Sequence, residues 1–273
     1  MKRFSLVIVG VVLAVGISTA VGQDRVARTP TDAFQNAGNN LSQAQAAITQ
    51  AAAANKFIFI FFWKEQNQQT DKAWGVLQPA VAKMADQADT VSIQTTNPAE
   101  KAIVDRFGAS RAPMPLVLAI APTGAITKAF TGSAFDESQL RTAFVSPGTQ
   151  QCMKALQDNK LVMICVVDQA SQQNPVAIPQ GVQDFKADEK YGRATEIVLL
   201  NPRDQAEAGF LKDIQVDANS PKPVTVFFAP PASMIGKFDA EATKQQIVAK
   251  LVSAQSNPCA GGKCGPNGCG PKK

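Results

Sequence analysis

Cysteine is the residue type through which this chain could do chemistry, and it has five: Cys152, Cys165, Cys259, Cys264 and Cys269. Histidine is absent. That removes Ser-His-Asp and Cys-His nucleophile pairs, and every metal site that depends on imidazole. Cys259, Cys264 and Cys269 are spaced five apart in NPCAGGKCGPNGCGPKK, residues 257–273. Three readings are open for them: disulfides within or between chains, a soft metal ion such as Cu(I) or a shared zinc, and attachment through an unpaired thiol. Disulfide linkage ranks first, because four residues between cysteines is not the Cys-x2-Cys spacing of zinc sites. An odd number of cysteines leaves at least one thiol free or paired between molecules, so a disulfide-linked oligomer through this tail is one expectation. Cys165 sits inside the apolar run KLVMICVV, residues 160–167, and reads as an inert core residue. Cys152 opens a helix-like pattern to Gln157, and a helix N-terminus lowers a thiol's pKa. It has no adjacent base in sequence and is a weak nucleophile candidate. Ser171 is weaker still, for the same reason.

The elements that would position these residues can be read from period and punctuation. Leu41 to Asn55 is alanine-dense and predicts a helix. KFIFIFFW, residues 56–63, is apolar on both faces, as a central strand buried on both sides must be. A helix follows from Asp71 to Ala85, expected to break near Pro79. Next come a strand at 91–95, a helix from Pro98 to Phe107 closed by Gly108, a strand entered through APMP, a hairpin partner AITKAF, and a helix from Glu137 to Phe144. The same order then recurs. KFIFIFFW has a partner in KLVMICVV 104 residues on, and APMPLVLAIAP (112–122) has one in SPKPVTVFFAP (220–230), 108 residues on. Two pairs in one order indicate an internal duplication, with its boundary near VSPGTQ, residues 145–150.

The ends differ in composition from the body. Lys2 and Arg3 precede an uncharged run from Phe4 to Ile17, then the small residues Ser18 to Gly22. This is the order of a secretory signal peptide, expected over 1–22 with a cut before Val21 or Gln23. About 14 residues is short for a membrane anchor, which needs roughly 20. No later segment is long and apolar enough to span a bilayer, so no stable membrane span is expected after cleavage. The protein is accordingly expected to be exported, to the periplasm or the extracellular space. Residues 23–40 read as a polar linker, and 256–273 as a Gly/Pro/Cys-rich tail expected to be disordered. The net charge of +5 belongs to the ends: removing Lys2, Arg3, Lys263, Lys272 and Lys273 from 27 basic residues leaves 22 against 22 acidic ones. A neutral body with one tyrosine gives no basis for nucleic-acid binding.

The order βαβαββα, with a proline just before the third strand, resembles the thioredoxin-like superfamily. Phe62 and Trp63 occupy the Phe-Trp places that precede that family's Cys-x-x-Cys motif, and Pro115 leads to Pro122-Thr123-Gly124 as the family's cis-proline strand does. The resemblance implies an α/β chain of two tandem thioredoxin-like domains, each a mixed central sheet flanked by helices. The first would span 41–146 and the second, a weaker match, 150–255. It implies a cis-proline at Pro115 and another at Pro223. Asn67 and Thr70 fall where the two cysteines would be, and the 104-residue shift carries them onto Ser171 and Asn174. Thioredoxins attack disulfides with a low-pKa thiolate, and neither amide nor hydroxyl can do so. The acid often found two residues before the Trp is replaced by Phe61. NQQT and SQQN share a Gln-Gln pair, but that pair occurs four times in the chain, which favours ordinary surface polarity over a shared ligand patch.

The sequence therefore leads to an exported, redox-inactive thioredoxin-fold protein without catalytic residues, serving as a binding or scaffold module of the cell envelope. A protein partner would dock beside Pro115. No cofactor is expected unless the tail holds a soft metal ion. The alternative is a thiol-disulfide or soft-metal handler working through Cys259, Cys264 and Cys269.

Overall fold

The computed structural model describes residues 42–167, 178–220 and 222–256. The proposed signal peptide and linker, Ser171 and Asn174, and the tail with Cys259, Cys264 and Cys269 lie outside the described residues. So does the secretion they would support.

The first half runs α1 (Gln43–Ala53), β1 (Phe57–Trp63), α2 (Gln68–Ala82), β2 (Ala88–Gln94), α3 (Lys101–Arg106), β3 (Leu116–Ile120), β4 (Ile126–Thr131) and α4 (Glu137–Arg141). Its four strands form one sheet in the order β2-β1-β3-β4. β1 pairs parallel with β2 and antiparallel with β3, and β4 returns antiparallel to β3. β1 is central because its side chains are apolar on both faces. Phe57, Phe59 and Phe61 pack with Ala73, Leu77 and Val81 of α2 and Leu140 of α4. Ile58, Ile60 and Phe62 pack on the opposite face with Ala44 and Ala51 of α1 and Ile103 and Val104 of α3. This is the period-2 alternation of a strand in a three-layer domain.

The second half repeats this plan: α5 (Pro147–Gln157), β5 (Leu161–Val166), α6 (Gln180–Lys186), β6 (Thr195–Leu200), α7 (Ala208–Asp213), β7 (Val224–Ala229), β8 (Ser233–Asp239) and α8 (Lys244–Ser256). Its sheet order is β6-β5-β7-β8, with the same parallel and antiparallel pairings. Val162, Ile164 and Val166 face α5 and α7, while Met163, Cys165 and Val167 face α6 and α8.

Three expectations are corrected. α2 does not break at Pro79: it continues to Ala82. The carbonyl that Pro79 cannot bond, and the residue its ring would crowd, belong to Gly75, which is exposed and has no side chain. The helix ascribed to Cys152 starts five residues earlier, at Pro147 with Ser146 as N-cap, because proline at the first helical position lacks only an N–H that would be unpaired anyway. The third concerns Pro223 and is taken up with the site below. Gly108 closes its turn at φ +61, as expected of a C-terminal glycine.

Each half also carries a buried acid that sequence reasoning missed. Glu100 ends a short 3₁₀ turn, Pro98–Glu100, and both its carboxylate oxygens accept from the Ala44 amide at 3.3 Å, in the first turn of α1. Glu207 ends the equivalent turn, Gln205–Glu207, and accepts from the Gly148 amide at 2.7 Å and the Ser146 hydroxyl at 2.6 Å, at the start of α5. A carboxylate is favoured there because it meets the unpaired amides and positive end of a helix. Gly148 permits the approach: a Cβ on it would stand 2.2 Å from Leu200 Cδ2 and 2.8 Å from Glu207 Oε2.

The halves touch through α5. The Gln157 side-chain amide forms a pair of bonds with the backbone of Ile126 on β4, accepting at 2.9 Å and donating at 2.7 Å. Met153 packs against the core of the first half.

Candidate functional site

The opening lies where β1 ends and α2 begins. Trp63 closes the strand and is held by its indole N–H, which donates to Ser92 Oγ of β2 at 3.0 Å. Asn67 is the N-cap of α2, extended at φ −153 and ψ 172, with its side-chain oxygen accepting from the Thr70 amide at 3.0 Å. This suits a residue at a helix start, where short polar side chains satisfy a free amide. The Thr70 hydroxyl turns back and donates to the Glu65 carbonyl at 2.9 Å. Asn67 is exposed and Thr70 buried. The two side chains that the family resemblance sets at the cysteine places are thus occupied in shaping the turn, and neither an amide nor a hydroxyl can attack a disulfide. Beneath them Phe61 is buried, its ring 5.2 Å from that of Trp74, so the floor has no proton acceptor at that position.

Met114–Pro115 is cis. The Pro115 carbonyl accepts from the Gly132 amide at 2.8 Å. Gly132 has φ +74, and a Cβ there would stand 3.2 Å from Gln69 Nε2. Gln69 of NQQT therefore lies against the strand exit that holds Pro115, and the structure brings the opening and the proline loop together. The Met114 amide makes no hydrogen bond among the described residues.

The second half does not copy this loop. Lys222–Pro223 is not cis, and the cis bond of this half is Pro230–Pro231, in the turn between β7 and β8. X–Pro isomers differ by only about 0.5–1 kcal/mol, so the tertiary setting decides. The residue matching Gly132 is Ala240, whose amide makes no bond to Pro223 among the described residues.

Both described cysteines are buried, and burial favours the neutral thiol in each. Cys152 lies within α5, buried, and burial pushes its thiol up to about 11. The expected helix-terminus activation fails because the terminus is one and a half turns away. Cys165 is fully buried on β5, and burial likewise pushes it up to about 11, against a smaller lowering by the Thr225 hydroxyl 3.6 Å away. They face opposite sides of the sheet. A thiol of pKa about 11 is about one part in a thousand thiolate at pH 8. Maleimide labelling of native, reduced protein is therefore expected to leave Cys152 and Cys165 unmodified until denaturant is added. Peptide mapping that finds either one labelled early would overturn this assignment. Among the described residues no cluster of acidic and thiol side chains could hold a metal ion, and no helix is long and apolar enough to cross a membrane.

No family model matches the chain, and no curated protein does. Solved structures do. A redox protein from Chlamydomonas reinhardtii is 19% identical over 36% of this chain, with TM-score 0.28, and the match spans 31% of that chain's length. The first two thioredoxin domains of Saccharomyces cerevisiae Eps1p match 75% of this chain and 95% of that one, at 8% identity and TM-score 0.29. The zinc-bound form of human ERp44 matches 80% and 61%, at 8% identity and TM-score 0.33. Strand order and strand direction, the same in both halves, make this chain a tandem of two thioredoxin-like folds, the first with no Cys-x-x-Cys at its opening.

Proposed function

We propose that the protein is an exported, redox-inactive module that binds a protein partner in the cell envelope, at the groove beside Pro115. The observation that supports this is the pairing of an intact proline loop with an opening whose reactive positions are an N-cap amide and an inward-turned hydroxyl. Such a loop offers backbone to an extended segment, as a strand edge does, and the unbonded Met114 amide is a donor for it. Export is supported by the order of charge, apolar run and small residues over 1–22. A photoreactive side chain at Met114 should give a discrete adduct in the native envelope, and one at exposed Val252 of α8 should not. Equal adducts at both positions would remove the groove from consideration. Loss of the Met114 adduct when the chain ends at Gln255 would move the function to the tail cysteines. The full-length protein should not reduce insulin through its folded part, and activity that survives removal of the tail would contradict the reading.

A further inference from the structure

Both tryptophans of the chain line one open pocket. It lies on the β2 side of β1, whereas Pro115 lies on the β3 side. Phe61, Trp63 and Trp74 line it together with Gln66, Thr70, Asp71 and Ser92; of the polar ones Gln66 and Asp71 are exposed. Both indoles are half-buried, so part of each remains open to a ligand. Asp71 is the one charged residue among those lining it, and Gln66 donates to its Oδ1 at 3.3 Å, which leaves Oδ2 available. The volume is about 140 Å³. Sites for whole cofactors or drug-sized molecules run to about 300–1,000 Å³, so this pocket takes a single side chain.

We infer that the pocket receives an arginine or lysine side chain from the bound polypeptide, its alkyl stem against Trp63 and Trp74 and its cation meeting Asp71. Indole faces attract cations lying within about 6 Å, and a carboxylate at the rim fixes where the charge must sit. An apolar side chain would fill the pocket without gaining anything from Asp71. A carboxylate side chain would be repelled. The inference rests on the reading of this half as a polypeptide-binding platform, but it is tested separately.

Because both tryptophans line the site, intrinsic fluorescence reports on it directly. The full-length protein is titrated with Nα-acetyl-arginine amide, and in parallel with Nα-acetyl-norleucine amide, which has a stem but no charge. A saturable emission change with the arginine probe is expected, at least about five-fold tighter than with norleucine. Asp71→Asn should weaken the arginine response about two- to five-fold, with an unchanged far-ultraviolet spectrum and melting curve. Trp74→Leu should weaken it similarly, read from Trp63. Absence of a saturable change, norleucine binding as well as arginine, or full binding by a folded Asp71→Asn protein would each overturn the inference. An adduct at Met114 without an arginine response would overturn the pocket alone and leave the groove standing.

Discussion

Glu207→Ala should lower the unfolding free energy by about 3 kcal/mol, one of the largest effects of any single polar substitution in the chain. The carboxylate is buried and accepts from two donors, the Gly148 amide and the Ser146 hydroxyl. Alanine leaves a helix-start amide without its partner in a site already closed by Leu200, and opens a void in place of the lost bonds. For a domain of about 100 residues the loss corresponds to roughly 12–24 °C in melting temperature. Glu207→Gln keeps the shape and one acceptor, and the serine hydroxyl can rotate to accept, so about 1 kcal/mol is expected. Glu100→Ala should cost less than Glu207→Ala, about 1–2 kcal/mol, since its contacts are longer and reach one amide only. The two acids share no partner, and the double variant should show the sum. Urea melts decide the matter. A Glu207→Ala protein within about 0.5 kcal/mol of the parent would mean that water serves the amide as well as the carboxylate does.

The second large effect is a gain. Asn67→Cys combined with Thr70→Cys should create a disulfide that forms in air and opens with dithiothreitol. The native turn already holds these positions close: the Asn67 side chain reaches the Thr70 amide, and residues three apart in a first turn have neighbouring Cβ atoms. The exposures are also suited to exchange chemistry, with an exposed N-terminal position for attack and a buried inner one for resolution. The start of α2 would lower the first thiol's pKa. Loss of two hydrogens by intact mass, reversed on reduction, is the readout. Insulin reduction should nonetheless stay slow, because a positioned general base contributes about 10²–10⁴-fold and Phe61 supplies none. If the pair stays reduced under oxidant, the turn does not hold the spacing the fold assignment requires.

Much of this is readable in the sequence alone. The unbroken apolar run Phe57–Trp63 could only be a strand covered on both faces, and the paired Pro-x-Pro strands announced the duplication. Gly108 marked a turn by its backbone freedom alone. What stayed hidden depends on distant partners. Glu100 and Glu207 look like ordinary polar residues in short turns, and only the fold carries them to helix starts 56 and 59 residues away. Pro115 and Pro223 sit in matching sequence, yet among the described residues the Pro115 carbonyl accepts from a distant amide, that of Gly132, and the Pro223 carbonyl has no equivalent. Pro147 and Gly148 read as punctuation between domains, because the same residues that end a helix or fill a loop can also begin a helix. At the opening, the sequence marked Asn67 and Thr70 by their distance from Trp63, but their hydrogen bonds within the turn and the pocket lined by both tryptophans required the packing of α2 on β1 and β2.

The side-chain amide of Gln157 bears on the order in which the protein is made. On the ribosome the first half is complete in sequence by Arg141, with its outer hairpin strand still open at Ile126. The groups that close it belong to the next helix: Gln157 satisfies both backbone atoms of Ile126, and Met153 covers nearby core. Synthesis runs at about 5–20 residues per second, so for roughly one to five seconds after the hairpin is made its edge at Ile126 is bare. Bare edges invite pairing with other nascent chains. The second half thus begins as a guard for the first, its opening helix shielding a neighbour before its own sheet exists.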